Sequence, residues 1–271
     1  MGRRDRFGNE MDEMVGFAWG DIIKGPIQLN YKALYAQDVI KKRFDEKGIA
    51  GLFNVTGLSE YFPILPEEID TACLEFIGPI FFMERLQKLA MERVGGDAQK
   101  HDVAFFNRAT AAGICSILTC GARGSKLLSL TPLPRSHPHI MKGAELAGME
   151  TIEVFDLGEY KAALERENVS MVVITSVSPH IRALPTEDIE EAITLARPVV
   201  PTIALDDASG HGWRPAIFGG PKSLEFDVDL AWCCLEKGNV YGPRVGLLAG
   251  TKELVDKVSA LGGLIGCEMR A

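Results

Sequence analysis

The chain has 271 residues, 46% of them hydrophobic, and a formal net charge of −8 at pH 7. This length allows one large domain or two smaller ones, each with a packed core. The acidic balance excludes a broad basic surface for nucleic acid, so we expect no DNA partner, and an RNA partner would have to be recognised by a local patch. No apolar run approaches the roughly 20 residues of a membrane-spanning helix. We therefore expect a soluble, cytoplasmic protein without a membrane partner.

The first third of the chain is only weakly patterned. Residues 1–30 form a charged arm, and a helix is predicted over Tyr31–Lys47. A second helix opens at Pro66, is interrupted at Gly78-Pro79 and resumes over Phe81–Val94. We divide the chain into an N-terminal arm and helix, residues 1–48, and a large domain, residues 49–271.

From Asp102 onward, short apolar runs alternate with helical stretches. Strands are predicted over Val103–Phe106, Leu127–Leu130, Thr151–Phe155, Met171–Thr175, Val199–Leu205, Val228–Cys234 and Val245–Ala249, and helices over Ala109–Cys120, Ile140–Ala147, Glu159–Glu167, Thr186–Ala196 and Thr251–Leu261. This alternation predicts a three-layer α/β/α fold around an open, mostly parallel mixed sheet. The last two strands are too close in sequence for a crossover helix, so one of them should run antiparallel.

The six cysteines are scattered, mostly inside apolar runs, and form neither C-x-x-C pairs nor a histidine spacing suited to zinc. We expect no metal site. Most of the thiols should be buried as small hydrophobic groups in a reducing compartment.

Ligands of open α/β sheets bind at the carboxyl ends of the strands. Asn107, Arg108, Ala109, Thr110 and Ala111 follow the first of these strands and open a helix. Small residues let a phosphate approach the helix N-terminus, where the dipole favours an anion, and Thr110 adds a hydroxyl. The same residues also suit an ordinary helix cap, so two interpretations stay open for this stretch.

The loop after the next strand contains Arg135, His137 and His139. His137 is the better candidate to stack on a flat ring or to move protons, and Arg135 could hold a carboxylate or a phosphate. The alternative is a proline-bracketed helix start with a polar cap.

Asp206 closes the strongest predicted strand, so its carboxylate should lie at the edge of the sheet. It could pair with a pyridinium nitrogen and keep a bound ring cationic. The alternative is a turn-forming Asp, and Asp207 could take the same role if the register differs by one residue.

Lys237 follows the predicted strand Val228–Cys234. A desolvated lysine is a better nucleophile towards an aldehyde, whereas a solvated one would simply pair with Glu236. Arg244, in a rigid Gly-Pro-Arg turn, could clamp a phosphate or a substrate carboxylate.

Together these residues resemble the pyridoxal-phosphate enzymes of aspartate aminotransferase fold type I, and most closely the archaeal relatives of selenocysteine synthase, the L-seryl-tRNA(Sec) selenium transferase. The matching stretches are Asn54-Val55-Thr56-Gly57-Leu58-Ser59, Asn107-Arg108-Ala109-Thr110-Ala111-Ala112, Ser136-His137-Pro138, Asp206-Asp207-Ala208-Ser209-Gly210 and Gly242-Pro243-Arg244-Val245-Gly246-Leu247-Leu248-Ala249-Gly250. The family pattern has three residues between the lysine and Gly-Pro, whereas four follow Lys237 here.

The resemblance implies the cofactor pyridoxal 5′-phosphate and a role for each matching residue. The stretch from Asn107 to Ala111 would hold the phosphate, His137 would lie on the ring, Asp206 would pair with the ring nitrogen, and Lys237 would be the Schiff-base lysine. Ser209 belongs to the same cofactor-binding set, while Arg135 and Arg244 would bind substrate.

The resemblance also implies a homodimer with a short or absent C-terminal small domain. The implied reaction is selenium or sulfur transfer to a seryl-type substrate, either a free amino acid or an aminoacyl-tRNA. A pyridoxal-phosphate-dependent cysteine desulfurase or amino-acid lyase fits the same residues. A non-catalytic relative that serves as a binding or assembly module is the alternative from another class.

Overall fold

The computed structural model describes residues 3–4, 11, 26–53, 64–69, 77–132, 136–178, 182–237 and 244–269. The chain divides into two compact units, residues 1–58 and residues 59–271. The stretch Asn54–Ser59, one of the matching stretches above, lies outside the described residues.

The first unit is built on helix α1 (Pro26–Lys47), which is followed by a 3₁₀ turn, Ile49–Gly51. The predicted helix is thus confirmed, and it begins earlier than predicted. Gly48 ends α1 with a φ of 62°, in the left-handed region that a glycine adopts without strain. Arg43 holds the turn against the helix, because its Nε donates to the carbonyl oxygen of Gly51 at 2.6 Å.

The second unit contains the sheet and the helices that cover it. Its helices are α2 (Gly78–Val94), α3 (Ala109–Cys120), α4 (Pro138–Ala147), α5 (Leu157–Arg166), α6 (Thr186–Ala196), α7 (Gly210–Phe218) and α8 (Lys252–Leu264). Its strands are β1 (His101–Phe106), β2 (Lys126–Leu130), β3 (Glu150–Val154), β4 (Val169–Thr175), β5 (Thr202–Asp206), β6 (Leu230–Cys234) and β7 (Gly246–Thr251).

Every strand and helix predicted from residue 102 onward is present, with boundaries that differ by a few residues. Helix α2 begins at Gly78 and not at Phe81, and Pro79 lies in its first turn, where the fixed φ of proline suits a helix and no backbone N–H is needed. Residues 70–76, which belong to the helix predicted to open at Pro66, lie outside the described residues. Helix α7 was missed, because Gly210, Gly212 and Pro215 indicate a loop rather than a helix.

The seven strands lie in the order β1-β7-β6-β5-β4-β2-β3. Strands β2 to β6 pair in parallel where they are neighbours, whereas β7 runs antiparallel to both β6 and β1. One of the last two strands is therefore antiparallel, as predicted. The predicted α/β fold with an open, mostly parallel mixed sheet is confirmed.

The central strands are buried on both faces. All seven residues of β4 and all five residues of β5 are buried. Val172 and Ile174 of β4 pack in the core on one face, and Met171 and Val173 pack in the core on the other. This double coverage is typical of parallel sheets and brings the carboxyl ends of β4, β5 and β6 together at one edge.

Within the described ranges, no helix is both long enough and apolar enough to cross a membrane.

Candidate active site

The carboxyl edge of the sheet encloses a cavity of about 40 Å³. The strands bring Thr175 at the end of β4 opposite Asp206 at the end of β5, and Asp206 opposite Trp232 in β6. The N-termini of α3 and α4 and the 3₁₀ turn Leu235–Lys237 complete the walls. The lining residues are Ala109, Thr110, His137, His139, Thr175, Val177, Asp206, Ala208, Ser209, Cys234 and Lys237.

Lys237 lies in this cavity with Asp206 and His137, even though the segment that follows it is one residue longer than in the family pattern. Its backbone is fixed by helix α7, because Nε1 of Trp213 donates to the carbonyl oxygen of Lys237 at 3.2 Å. The start of the same 3₁₀ turn is fixed by the N–H of Leu235, which donates to the carbonyl oxygen of Val245 at 3.0 Å. The lysine is thus positioned by two neighbouring elements.

Asp206 is 3% exposed and lines the cavity. Its Oδ1 accepts the backbone N–H of Ala208 at 3.2 Å. Burial raises the pKa of Asp206, against the opposing effects of His137, the Ala208 N–H and Lys237. The carboxyl group therefore lies in an environment that penalises its charge unless a cation arrives to pair with it.

Asp207 is fully buried, but it is directed into a different network. Its carboxylate pairs with the guanidinium of Arg214 and accepts the hydroxyls of Ser176 and Ser223, the latter at 2.6 Å. Arg214 in turn lies 4.8 Å above the ring of Phe226. Asp207 is not among the residues that line the cavity, whereas Asp206 is.

The two histidines of the loop before α4 both line the cavity. His137 is the N-cap of α4, and its Nδ1 accepts the backbone N–H of His139 at 3.4 Å. His139 is buried beside Trp232, with the ring centroids 6.0 Å apart and the rings nearly perpendicular. Burial lowers the pKa of each imidazole to about 4; Lys237 acts in the same direction on both, and Asp206 opposes the shift of His137.

The N-terminus of α3 forms another wall. Ala109 and Thr110 line the cavity, whereas Asn107 and Arg108 are exposed and Ala111 is half-buried; none of these three is among the lining residues. Gly246 at the start of β7 passes so close that a Cβ there would come within 2.2 Å of the Arg108 carbonyl carbon and 2.3 Å of the Ala109 nitrogen. This position therefore requires glycine, since any side chain would push the helix start away from the cavity.

The structure describes one of the two predicted substrate-binding arginines. Arg135 lies outside the described residues. Arg244 is exposed and is not among the residues that line the cavity. Gly242 and Pro243, which precede it, also lie outside the described residues.

Several residues at or beside the site were not singled out from the sequence. Thr175 and Cys234 could have been predicted from the sequence, because each ends a predicted strand, as Asp206 does. His139 shared the signal of His137, whereas Trp213 lies in the helix that was missed. Burial raises the pKa of the Cys234 thiol to about 12, and the charge of Lys237 acts against that shift.

A lysine, a buried carboxyl group and an imidazole thus converge at the carboxyl edge of a mostly parallel seven-stranded sheet. Solved structures agree with this class of fold. An alanine–glyoxylate aminotransferase from Nostoc sp. superimposes with a TM-score of 0.57 at 20% identity, over 75% of this chain and 54% of that one. SepCysS, in its complex with the SepCysE N-terminal domain, gives a TM-score of 0.56 at 15% identity, over 79% of this chain and 61% of that one.

Sequence comparison finds a relative with a higher sequence identity than these structures. The chain is 30% identical over 234 residues to a UPF0425 pyridoxal phosphate-dependent protein of Methanosphaera stadtmanae. The match covers 86% of this chain but 58% of the relative, so the chain spans less than two thirds of the length of that protein. No family model matches the chain.

Proposed function

We propose that this chain binds pyridoxal 5′-phosphate at the cavity and is an enzyme that acts at Cα or Cβ of an amino acid. The observation that carries the proposal is the meeting of Lys237, Asp206 and His137 at one cavity on the carboxyl edge of the sheet. The relative from Methanosphaera stadtmanae and two further relatives are named pyridoxal phosphate-dependent proteins, which supports the same cofactor.

The chemistry of the cavity fits this cofactor. The Nε2 atom of His139 and the Oγ1 atom of Thr175 are buried and have no hydrogen-bond partner among the described residues, so a polar ligand would satisfy them. The cavity itself has room for only a few water molecules. A pyridine ring therefore requires the cavity to widen.

Each lining residue has a role that follows from its position. Asp206 would pair with the ring nitrogen and keep it protonated, and His137 would lie against the ring. The N-terminus of α3 at Ala109 and Thr110 would hold the phosphate, because the helix dipole and the Thr110 hydroxyl favour an anion. Ser209 also lines the cavity and would supply a further hydroxyl.

Lys237 would hold the cofactor aldehyde through its amine and afterwards move a proton at the substrate Cα. Pyridoxal phosphate supplies an electron sink that stabilises a carbanion at Cα. Asp206 would maintain that sink, because its carboxylate would stabilise the protonated ring nitrogen.

The narrower proposal is selenium or sulfur transfer to a seryl-type substrate, and the quoted sequence motifs support it. Cysteine desulfuration or amino-acid elimination would use the same cofactor-binding residues, so the substrate distinguishes these reactions. Sulfide release from L-cysteine, pyruvate formation from L-serine and selenide incorporation into seryl-tRNA are therefore the assays to compare. A chain that retains the cofactor and performs none of these reactions would favour a binding or assembly module.

The proposal is tested by the absorbance spectrum of the purified chain with and without added pyridoxal phosphate. We expect a new visible band, and we expect borohydride to fix the cofactor onto the peptide that contains Lys237. Lys237→Ala should abolish the fixed adduct, whereas Lys257→Ala should not, because Lys257 pairs with Glu253 on the exposed surface of α8. An unchanged spectrum, or an adduct that persists in Lys237→Ala, would contradict the proposal.

A further inference from the structure

A second cavity, of about 650 Å³, is lined mainly by helices α2 and α7. Sites that hold small molecules are roughly 300–1,000 Å³ in size, so this α2–α7 cavity has room for one. None of its lining residues is among those of the candidate active site. The lining residues are Leu86, Leu89, Ala90, Glu92, Arg93, His211, Gly212, Pro215, Ala216, Lys222 and Leu235.

One face of α2 is turned towards the α2–α7 cavity. Leu86, Leu89, Ala90 and Arg93 follow the i, i+3, i+4, i+7 spacing that places side chains along one side of a helix. Such an apolar stripe normally packs against a core, yet Leu89 is 51% exposed. Helix α7 adds a proline and an alanine to the wall. An apolar molecule in the cavity would cover these side chains.

His211 is the buried polar side chain of this wall, at 2% exposure. Its Nδ1 lies 3.3 Å from the backbone carbonyl oxygen of Asp207, which can only accept, so Nδ1 carries the hydrogen. In a neutral imidazole the other nitrogen, Nε2, is then a bare acceptor on the far side of the ring. It has no hydrogen-bond partner among the described residues. A buried acceptor of this kind calls for a donor.

The charges around the cavity keep His211 neutral. Burial lowers the pKa of this imidazole to about 4, and Arg93 and Arg214 act in the same direction, against Asp207. The missing hydrogen therefore has to come from a ligand and not from the ring itself.

The charged residues of the lining are Arg93, Lys222 and Glu92. The ammonium group of Lys222 donates to the backbone carbonyl oxygen of Glu92 at 2.8 Å, and such a group has three N–H donors. With two cations and one carboxylate, the lining disfavours a positively charged ligand.

We propose that the α2–α7 cavity binds a small, mostly apolar molecule without positive charge, whose N–H or O–H group donates to Nε2 of His211. The apolar body covers the stripe of α2, and the donor completes the buried imidazole. A flat protein surface could cover the leucines, but only a group that enters the cavity reaches His211. This site is separate from the one proposed for pyridoxal phosphate.

The first test titrates the cofactor-free chain with N-phenyl-1-naphthylamine, an apolar fluorescent molecule with one N–H group. We expect saturable binding at one site per chain. Phenyl 1-naphthyl ether, in which oxygen replaces that N–H, should displace it with about tenfold lower affinity, because an ether oxygen presents a second acceptor to Nε2. Equal affinity of the two compounds would overturn the proposal.

Three substitutions locate the bound molecule. Ala216→Trp should fill the cavity and abolish binding, whereas Ile217→Trp should leave it unchanged, because Ile217 is the next residue of α7, is 64% exposed and is not among the lining residues. His211→Phe keeps a ring but removes the acceptor, so the preference for the N–H compound should disappear while the ether binds as before. If His211→Phe does not fold, the other two variants and the pair of compounds still decide. Equal binding to Ala216→Trp and Ile217→Trp would place the molecule elsewhere and contradict the proposal.

A second copy of the chain is the competing occupant, because exposed hydrophobic side chains of α2 precede the cavity. If a second copy filled it, N-phenyl-1-naphthylamine would bind only after Phe81→Asp had exposed the cavity, and the proposal would be wrong. Equal binding by the unsubstituted chain and by Phe81→Asp supports it. The titration uses no pyridoxal phosphate, so its outcome does not depend on the proposed function.

Discussion

At the scale of single residues, Asp206 and Asp207 are neighbours in sequence, but their carboxyl groups lie in different environments. Both carboxyl groups are buried, yet Asp207 has a cationic partner in Arg214 and two hydroxyl donors, whereas Asp206 has one backbone donor and faces the cavity. A buried carboxylate without a cation is costly, so Asp206 is the one whose environment is completed by a positively charged ligand.

Replacing Asp207 should therefore mainly lower the stability of the fold, whereas replacing Asp206 should mainly weaken cofactor binding. Asp207→Asn leaves the Arg214 guanidinium buried without its counterion and should lower the free energy of unfolding by about 3–5 kcal/mol. Asp206→Asn should change stability far less and should instead weaken pyridoxal phosphate binding. Urea unfolding and cofactor titration of both variants check this, with the exposed Asp256→Asn as control. Equal destabilisation by the two substitutions would show that the assignment is wrong.

The sequence predicted an acid at this strand end but left Asp206 and Asp207 as alternatives. Neighbouring side chains of a strand point to opposite sides, so the choice depends on a register that periodicity fixes only to within a residue. The same limit applies to His137 and His139. His137 was preferred, but the buried contact with Asp206 belongs to His139 because the helix begins between them.

At the scale of elements, the position of Lys237 depends on a helix that the sequence did not predict. The glycines and the proline of α7 are not typical of a helix. The helix nevertheless contains Trp213, whose Nε1 donates to the carbonyl oxygen of Lys237. By the family spacing alone, Lys237 lies one residue away from the position expected for the lysine. The 3₁₀ turn Leu235–Lys237 brings it to the cavity, and only tertiary contacts could reveal such a turn.

Trp213→Phe should consequently loosen the lysine without emptying the core. It keeps an aromatic ring but removes the donor to the Lys237 carbonyl, and one neutral hydrogen bond contributes about 1 kcal/mol. We expect pyridoxal phosphate affinity to fall about fivefold, the equivalent of that energy. Fluorescence or absorbance titration measures this, with Ile217→Ala on the exposed side of α7 as control. Unchanged affinity in Trp213→Phe would mean that Leu235 and its backbone bond suffice to fix the turn.

At the scale of the whole molecule, the alternation of elements was enough to predict the fold class but not the strand order. Periodicity reports which residues are buried, and the central strands β4 and β5 are the most evident case. Periodicity does not indicate which strands are neighbours in the sheet. Strand β4 lies between β2 and β5, and β1 lies at the edge beside β7, so the walls of the cavity come from segments that are far apart in sequence.

The resemblance to fold type I enzymes predicts a homodimer, and helix α2 offers a surface that fits this prediction. Ile80, Phe81 and Phe82 in its first turns are 79%, 64% and 52% exposed. Adjacent exposed hydrophobic side chains of this size are typical of an interface between proteins and are costly in water. We therefore expect the chain to be a dimer in solution and expect Phe81→Asp to shift it towards monomer.

Light scattering across a range of concentrations distinguishes these states. Leu264→Asp is the matched control, because Leu264 is equally apolar and 82% exposed at the end of α8 but stands apart from that cluster in sequence. Since sites of this fold type are generally built where two subunits meet, a monomeric Phe81→Asp variant should also lose affinity for pyridoxal phosphate while it keeps its secondary structure. An unsubstituted chain that stays monomeric at every concentration would contradict the prediction, because α2 would then expose these side chains for another partner.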